Sequence, residues 1–354
     1  FLAERAEMIP LEVVARRLAV GSFTKRHPEL IRPENDPCRF PRLCCEFFLK
    51  TSGGKLVING ETLVEGLDPQ AGQEDPLIAD PSADVWKLLH AKRPLGHPEC
   101  DLGRTVPRDK VVKDLKLIQQ MDKILREVFL VLEGAWNTLG LRLVDLKIEF
   151  GITAGGELVV ADVIDNDSWR LRTRDWTELS KQRFRDGDEL SAVEEIYQLV
   201  AQLAERIRIP QQALVLWRGS QNDKFPDVYP TWPGYNRVEV TLSGHKQPIA
   251  CLQRVEELQR DFPDGGVILA IAGGSNGLGP MDAANTTWPV ISVPPGIKDF
   301  PDDIWSSLRM PRDVPNATIL DLDNAFSFAL NIFAKTNPII YMVQRFAIEE
   351  RMES

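Results

Sequence analysis

Cysteine and histidine are scarce in this chain of 354 residues, with five of the first and four of the second. Cys38, Cys44, Cys45, Cys100 and Cys251 show no CxxC spacing, and an odd number in so long a chain points to free thiols and a reducing, cytoplasmic setting. Four histidines without an HExxH pattern argue against a zinc centre. No apolar run approaches the length of a membrane-spanning helix, about 20 residues. Positive charge is also in deficit: 42 Lys and Arg stand against 52 Asp and Glu, a formal net charge of -10. That balance argues against non-specific nucleic-acid binding and against anionic membrane surfaces. Any anionic ligand must be held by local Arg, Lys and backbone N–H groups. The chain opens at Phe1 inside an apolar-rich segment without a signal-peptide layout, so further natural sequence is expected ahead of it.

What is present suits two domains of a soluble globular protein: 43% hydrophobic and 27% charged residues over a length typical of a domain pair. Met8–Val14 reads as a strand leading into a short basic segment, Ala15–Phe23, whose Arg16-Arg17 and Gly21-Ser22 suit a phosphate or carboxylate as well as a solvated turn. Cys44–Lys50 reads as a second strand, and residues 51–108, rich in Gly, Pro, Asp and Glu, as loop. Lys110–Trp136 repeats apolar residues with a 3.6-residue period and predicts a helix. Leu143–Phe150 and Glu157–Ile164, joined across Gly151 and Gly155-Gly156, predict an antiparallel hairpin.

On that hairpin Asp145, Lys147 and Glu149 alternate onto one face, with Asp162 on the partner strand. Converging carboxylates suit a nucleotide's Mg²⁺, and the same pattern also fits a solvated strand face. Asp165-Asn166-Asp167-Ser168-Trp169-Arg170 follows as a dense polar cluster. A second amphipathic helix over Glu189–Arg208 stops before Pro210, and the domain boundary is placed there.

Beyond it strands and helices alternate, which implies a parallel sheet covered by helices. Strands are expected at Ala213–Trp217, Val238–Leu242, Val267–Ala272 and Pro289–Val293, and helices at Lys246–Phe262, 302–309, 322–334 and 336–350. The fold expectation is therefore α/β: an N-terminal α+β domain, residues 1–208, of antiparallel sheet plus helices, and a C-terminal three-layer αβα parallel-sheet domain, residues 209–354. Three polar loops follow its strands: Gly219–Asp223, Ser243–Lys246 and the glycine loop Gly273–Pro280. They should converge at the carboxyl edge of the sheet. The glycine loop offers free backbone N–H groups and close approach to a polar or anionic small molecule. It fits neither the P-loop nor the dinucleotide pattern.

Those loops, in this order and spacing, resemble the aminoimidazole ribonucleotide carboxylase domain of purine biosynthesis. The resemblance continues through Asn285-Thr286, Pro289–Ser292, Pro294-Pro295 and Trp305–Arg309. In animals that domain is fused behind a succinocarboxamide synthetase domain. Residues 1–208 resemble the latter through Glu7–Pro10, Arg16-Arg17, Gly21–Phe23, Val144–Gly151 and Ala161–Leu171. Only residues 51–108 or so lie outside the match.

The resemblance implies two reactions: CO₂ addition to aminoimidazole ribonucleotide (AIR) without ATP or other cofactor, and MgATP-dependent joining of the carboxylated product (CAIR) to aspartate, giving SAICAR. It implies that Ser220, Asp223 and Ser243 hold the ribonucleotide, and that His245 and Lys246 flank the reacting carboxylate. His245 is the proton-transfer candidate, histidine being the side chain that changes charge near neutral pH. Gly273, Gly274, Ser275 and Asn276 would hold CO₂. In the first domain Arg17, Ser22, Asp167, Ser168 and Arg170 would hold the nucleotide and amino-acid substrates, Lys147 would lie near ATP, and Glu149 and Asp162 would be the Mg²⁺ carboxylates. An octamer built on the carboxylase domains is implied as well, with neither nucleic acid nor membrane as partner.

The chain departs from the family pattern. The family's ATP-binding Gly-Lys-rich hairpin lies upstream of Phe1. Thr51-Ser52 replaces acidic residues, Gly244 an alanine and Gly274 an arginine, and Pro226, Pro230 and Pro233 forbid the family's continuous helix after Asp223. These departures leave a second reading open, a paralogue that keeps the fold and serves as a binding or assembly protein.

Overall fold

Along the strand Ala6–Leu18 (β1), Leu11, Val13 and Ala15 are fully excluded from solvent, the period of two that a strand with one face on a core requires. This strand is the centre of the first of two compact units in the computed structural model, which describes residues 4–179, 190–223 and 234–352. The units are Phe1–Ile207 with Phe346–Ser354, and Arg208–Arg345. The last nine residues, counted with the second domain in the sequence reading, thus cluster with the first.

In the first unit β1 pairs antiparallel with Arg39–Leu49 (β2) on one side and Arg142–Thr153 (β8) on the other. Leu158–Ala161 (β9) and Trp169–Arg172 (β10) both pair with β8. The sequence suggests loop throughout residues 51–108, but the segment also carries short strands. Leu56–Ile58 (β3) and Glu61–Val64 (β4) make a small hairpin, and Leu77–Ile78 (β5), Val85–Leu89 (β6) and Asp101–Pro107 (β7) extend the main sheet beyond β2. Their short runs give too few residues for a visible period, and pairing across the sheet supplies what local pattern does not. Both arginines of the basic segment lie within β1, not in a turn after it.

The helix Leu115–Thr138 (α3) is capped by Asp114, whose side chain accepts from Lys116 N–H at 2.9 Å. It buries Ile118, Met121, Leu125 and Phe129. Each such burial stabilises by about 1.5–3 kcal/mol. The predicted start at Lys110 belongs to a separate turn of helix, Arg108–Val111 (α2). Ser22–Arg26 (α1) follows β1, and Leu190–Ala204 (α4) closes the unit. The Glu189 start expected for α4 lies outside the described residues.

The second unit carries five parallel strands: Gln212–Arg218 (β11), Tyr235–Thr241 (β12), Gly266–Ile271 (β13), Val290–Val293 (β14) and Asn316–Thr318 (β15), in the order β12-β11-β13-β14-β15. One face packs Ala213, Val215 and Trp217 against Cys251, Val255 and Leu258 of Pro248–Asp261 (α5). The other packs Leu214, Leu216, Val267 and Leu269 against Ala325, Phe326, Ala329 and Phe333 of Leu322–Phe333 (α8). Leu278–Asn285 (α6), Trp305–Leu308 (α7) and Pro338–Arg351 (α9) complete the helices, and from Phe346 on α9 belongs to the first unit. Strand order reverses at β11, so the carboxyl ends of β11 and β13 flank the switch point where open α/β sheets bind ligands. Pro226, Pro230 and Pro233 lie outside the described residues. Among those described, no helix is long and apolar enough to cross a membrane.

Candidate active sites

Alternation decides the first site. Glu12, Val14 and Arg16 leave β1 on the face opposite Leu11, Val13 and Ala15, and pair in register with Glu149, Lys147 and Asp145 of β8. Arg170 of β10 lies across from Asp145 on the same face. These strands floor a cleft of about 780 Å³, walled by Gly21, Ser22, Lys25, Arg32, Lys92, Asp167, Ser168 and Arg172 among others. Seven cations line it (Arg16, Lys25, Arg32, Lys92, Lys147, Arg170, Arg172) against four carboxylates (Glu12, Glu34, Asp145, Asp167), so an acidic protein presents a basic cleft.

Arg16 is the organiser. Its Nε donates to Glu46 Oε2 at 2.6 Å, its Nη1 to Asp145 Oδ2 at 2.8 Å and its Nη2 to Ser22 Oγ at 3.3 Å. Burial opposes its charge, but Glu46 and Asp145 outweigh burial and hold its pKa above the ordinary arginine value. Arg170 reaches the same Asp145 oxygen at 3.1 Å. Its guanidinium lies over Gly21, where a Cβ would meet Nη1 at 2.4 Å, and Gly21 has φ of 63°. Glycine is required there on both counts.

Of the residues singled out from sequence, Ser22, Lys147, Asp167, Ser168 and Arg170 line this cleft. Lys147 Nζ is paired with Glu12 at 3.0 Å. Ser168 is buried, its hydroxyl donating to Val163 O at 3.0 Å, and Asp167 accepts from Tyr197 of α4. Arg17 does not belong with them. It is in phase with Leu11, Val13 and Ala15, is 1% exposed, and binds Glu133 of α3 through Nε at 2.8 Å and Glu349 of α9 through Nη2 at 2.7 Å. Its role is to neutralise two buried carboxylates. That phase was available in the sequence, and Arg16 rather than Arg17 is the residue it points to.

The expected metal pair does not fit a cation site as placed. Glu149 Oε1 is taken by Lys50 Nζ at 2.9 Å. The register sets Ala161, not Asp162, across from Glu149, and the exposed Asp162 carboxylate accepts from Val163 N–H at 2.8 Å. No cluster of three or more His, Cys, Asp or Glu that could hold a metal occurs among the described residues.

In the second unit the three polar loops come together at the carboxyl edge of the sheet. A Cβ at Gly273 would lie 3.9 Å from Asp223 Oδ1, and one at Gly219 3.8 Å from Oδ2. Burial raises the Asp223 carboxyl above its ordinary pKa. The His245 ring packs on Gly277, where a Cβ would meet Cε1 at 2.4 Å. Gly244 approaches the same residue, its Cβ position 2.8 Å from Gly277 O. The replacement of the family's alanine by Gly244 therefore accompanies a close approach between two of the three loops. His245 and Lys246 are exposed. Ser220 and Ser243 brace their own turns, accepting from Asn222 N–H at 3.1 Å and Lys246 N–H at 3.3 Å. Arg218, not singled out from sequence, donates to Asp223 O at 3.2 Å and Thr241 Oγ1 at 2.8 Å, and so ties loop to sheet.

Two residues of the glycine loop differ in kind. Asn276 is 6% exposed and its side chain is consumed internally: Nδ2 donates to Ser292 Oγ at 2.7 Å and Ser307 Oγ at 2.9 Å, and Oδ1 accepts from Gly279 N–H at 2.9 Å. As placed it is a clip rather than a ligand contact. Ser275 is exposed, and neither its hydroxyl nor its N–H has a hydrogen-bond partner among the described residues.

An antiparallel-sheet unit with a basic cleft, joined to a parallel-sheet unit with polar loops gathered at its switch point, defines a two-unit α/β protein suited to small anionic molecules. Comparison with known proteins makes the class specific. The AIR carboxylase family model matches residues 236–351, and the SAICAR synthetase model matches residues 1–68 and 104–203. The probable multifunctional protein ADE2 of Caenorhabditis elegans is 34% identical over 361 residues, covering 96% of this chain and 74% of that protein. The bifunctional phosphoribosylaminoimidazole carboxylase/phosphoribosylaminoimidazole succinocarboxamide synthetase of Homo sapiens is 32% identical over 371 residues, covering 98% and 76%. Among solved structures, a Type-2 SAICAR synthetase in complex with ADP aligns at 25% identity and a TM-score of 0.37, covering 56% of this chain and 64% of that one. The chain belongs to the family of bifunctional phosphoribosylaminoimidazole carboxylase/succinocarboxamide synthetases.

Proposed function

We propose that this chain acts twice in purine biosynthesis, carboxylating AIR to CAIR in its second unit and joining CAIR to aspartate with MgATP in its first. The observation that carries the reading is the convergence of Asp223, His245 and the glycine loop at the switch point of the parallel sheet. In the carboxylation a C–C bond forms between CO₂ and the imidazole ring and the ring carbon loses a proton. His245 moves that proton. Lys246 flanks the new carboxylate, Ser220, Asp223 and Ser243 hold the ribonucleotide, and Ser275 with the backbone of Gly273 holds CO₂. No cofactor takes part in this step.

In the first unit the basic cleft receives the phosphorylated and carboxylated substrates, with Arg16, Ser22, Asp167, Ser168 and Arg170 as contacts and Lys147 toward the nucleotide. Mg²⁺ enters with ATP, and no metal step is assigned to Glu149 and Asp162. The working form is an octamer assembled through the second unit, in the cytoplasm. Mass photometry is the measure of that assembly.

The deciding experiment is carboxylation of AIR by the whole protein with bicarbonate and no ATP. Turnover is expected. A folded protein that binds AIR without carboxylating it would overturn the carboxylase assignment in favour of a repurposed paralogue. That second reading draws on Gly274, where the family's arginine is absent and no atom lies within 4 Å of a Cβ position.

A further inference from the structure

The segment after β14 has no part in the reaction as described so far, yet it grips the glycine loop. The 3₁₀ turn Pro301–Ile304 and the start of α7 bring Asp303 and Ser306 against it. Gly274 sits at φ of 64°, and its N–H donates to Asp303 Oδ2 at 3.1 Å. Ser306 Oγ accepts from Asn276 N–H at 3.1 Å and lies 3.1 Å from Gly274 O and 2.8 Å from Asp303 O, so its one proton is shared between two carbonyls. Ser307 Oγ takes the Asn276 side chain. The peptides on both sides of Ser275 are therefore fixed from outside the loop, while Ser275 is exposed and its hydroxyl and N–H have no partner among the described residues. A glycine in the left-handed region and four glycines in seven residues do not hold one conformation unaided. The conformation is imposed by Asp303 and Ser306.

We propose that Asp303 and Ser306 are positioning residues for carboxylation, a clamp that holds residues 274–276 so that the Ser275 hydroxyl and N–H face the CO₂ that is added. The proposal rests on the carboxylase reading of the second unit. It assigns the clamp to CO₂ rather than to the ribonucleotide, because Ser220, Asp223 and Ser243 lie on other loops.

The test uses the whole protein carrying Asp303→Ala, Ser306→Ala or Asp303→Asn, the last keeping an acceptor oxygen. Amide hydrogen exchange at Gly274 and Asn276 is measured beside initial rates over bicarbonate and AIR concentration. Loss of one such hydrogen bond is expected to raise the KM for bicarbonate roughly five- to tenfold. Exchange at the freed amide should quicken by a similar factor, the KM for AIR should stay within about twofold, and Asp303→Asn should restore most of the loss. Wild-type exchange rates in both alanine variants overturn the clamp whatever the activity. So does faster exchange with an unchanged KM for bicarbonate in a protein that carboxylates AIR. A wild-type protein that fails to carboxylate sinks the carboxylase reading, and with it the role assigned to the clamp.

Discussion

Arg16 and Arg17 are neighbours in sequence and stand on opposite faces of one strand. The first organises a cleft through Glu46, Asp145 and Ser22, and the second is sealed in the core between Glu133 and Glu349. Their substitutions should therefore separate binding from stability. Arg17→Met strands two buried carboxylates and should cost about 3–5 kcal/mol of unfolding free energy by urea titration. Arg16→Lys keeps charge but loses the planar fork, so it should weaken binding of CAIR by calorimetry with a smaller loss of stability. Equal effects on both properties in both variants would count against the division.

Gly21→Ala should disable the same cleft without touching a charge. The new methyl enters the space of the Arg170 guanidinium and the residue is forced to a positive φ. CAIR affinity is expected to fall at least about tenfold, a penalty of about 1.4 kcal/mol. Wild-type affinity by calorimetry would show that Arg170 does not contact the ligand.

His245→Ala should abolish carboxylation while leaving thermal unfolding nearly unchanged, since the ring is exposed and lies on the surface of Gly277. Gly277→Ala should displace the same ring from its seat and lower the rate as well. Unchanged turnover in His245→Ala would refute the proton-transfer role.

Ser275 and Asn276 should part in the same manner as the two arginines. Asn276→Ala removes three buried hydrogen bonds and should destabilise the second unit by roughly 2–4 kcal/mol. Ser275→Ala should leave the melting temperature in place and reduce carboxylation. A stable Asn276→Ala protein would return that side chain to the ligand.

Asp282 on α6 is wholly buried with neither oxygen hydrogen-bonded among the described residues, and burial pushes its carboxyl up to about 8. The unfolded chain releases this proton near the ordinary Asp value, about 3.9, and the folded one keeps it to about 8. Between those values the unfolded state binds fewer protons, so stability falls as pH rises and levels off above about 8. Asp282→Asn should abolish that slope and, at pH 8, be more stable than the wild type by an amount on the order of 2–5 kcal/mol. Urea midpoints of the two proteins at pH 4, 6 and 8 give the comparison, and parallel profiles would refute it.

Much of this protein was legible in its residues. Apolar period and glycine punctuation marked β1, β8, α3 and four of the five parallel strands, because those elements are long enough to show their buried face, whereas the three-residue, partly exposed β15 went unmarked. Motif order identified the family, because the loops carrying chemistry are short, dense in Gly, Ser and His, and set at fixed distances along the chain. The strands within 51–108 were illegible, since runs of two to seven residues owe their state to pairing partners far away in sequence. Tertiary structure alone decided that Lys50 neutralises Glu149, that Asn276 turns inward to Ser292 and Ser307, and that Asp303 reaches back across 29 residues to hold Gly274. A sequence specifies which groups a residue offers. Whether an oxygen is left for a ligand or spent on the protein's own donors depends on what packing brings within 3 Å or so, and buried polar groups take partners wherever they find them.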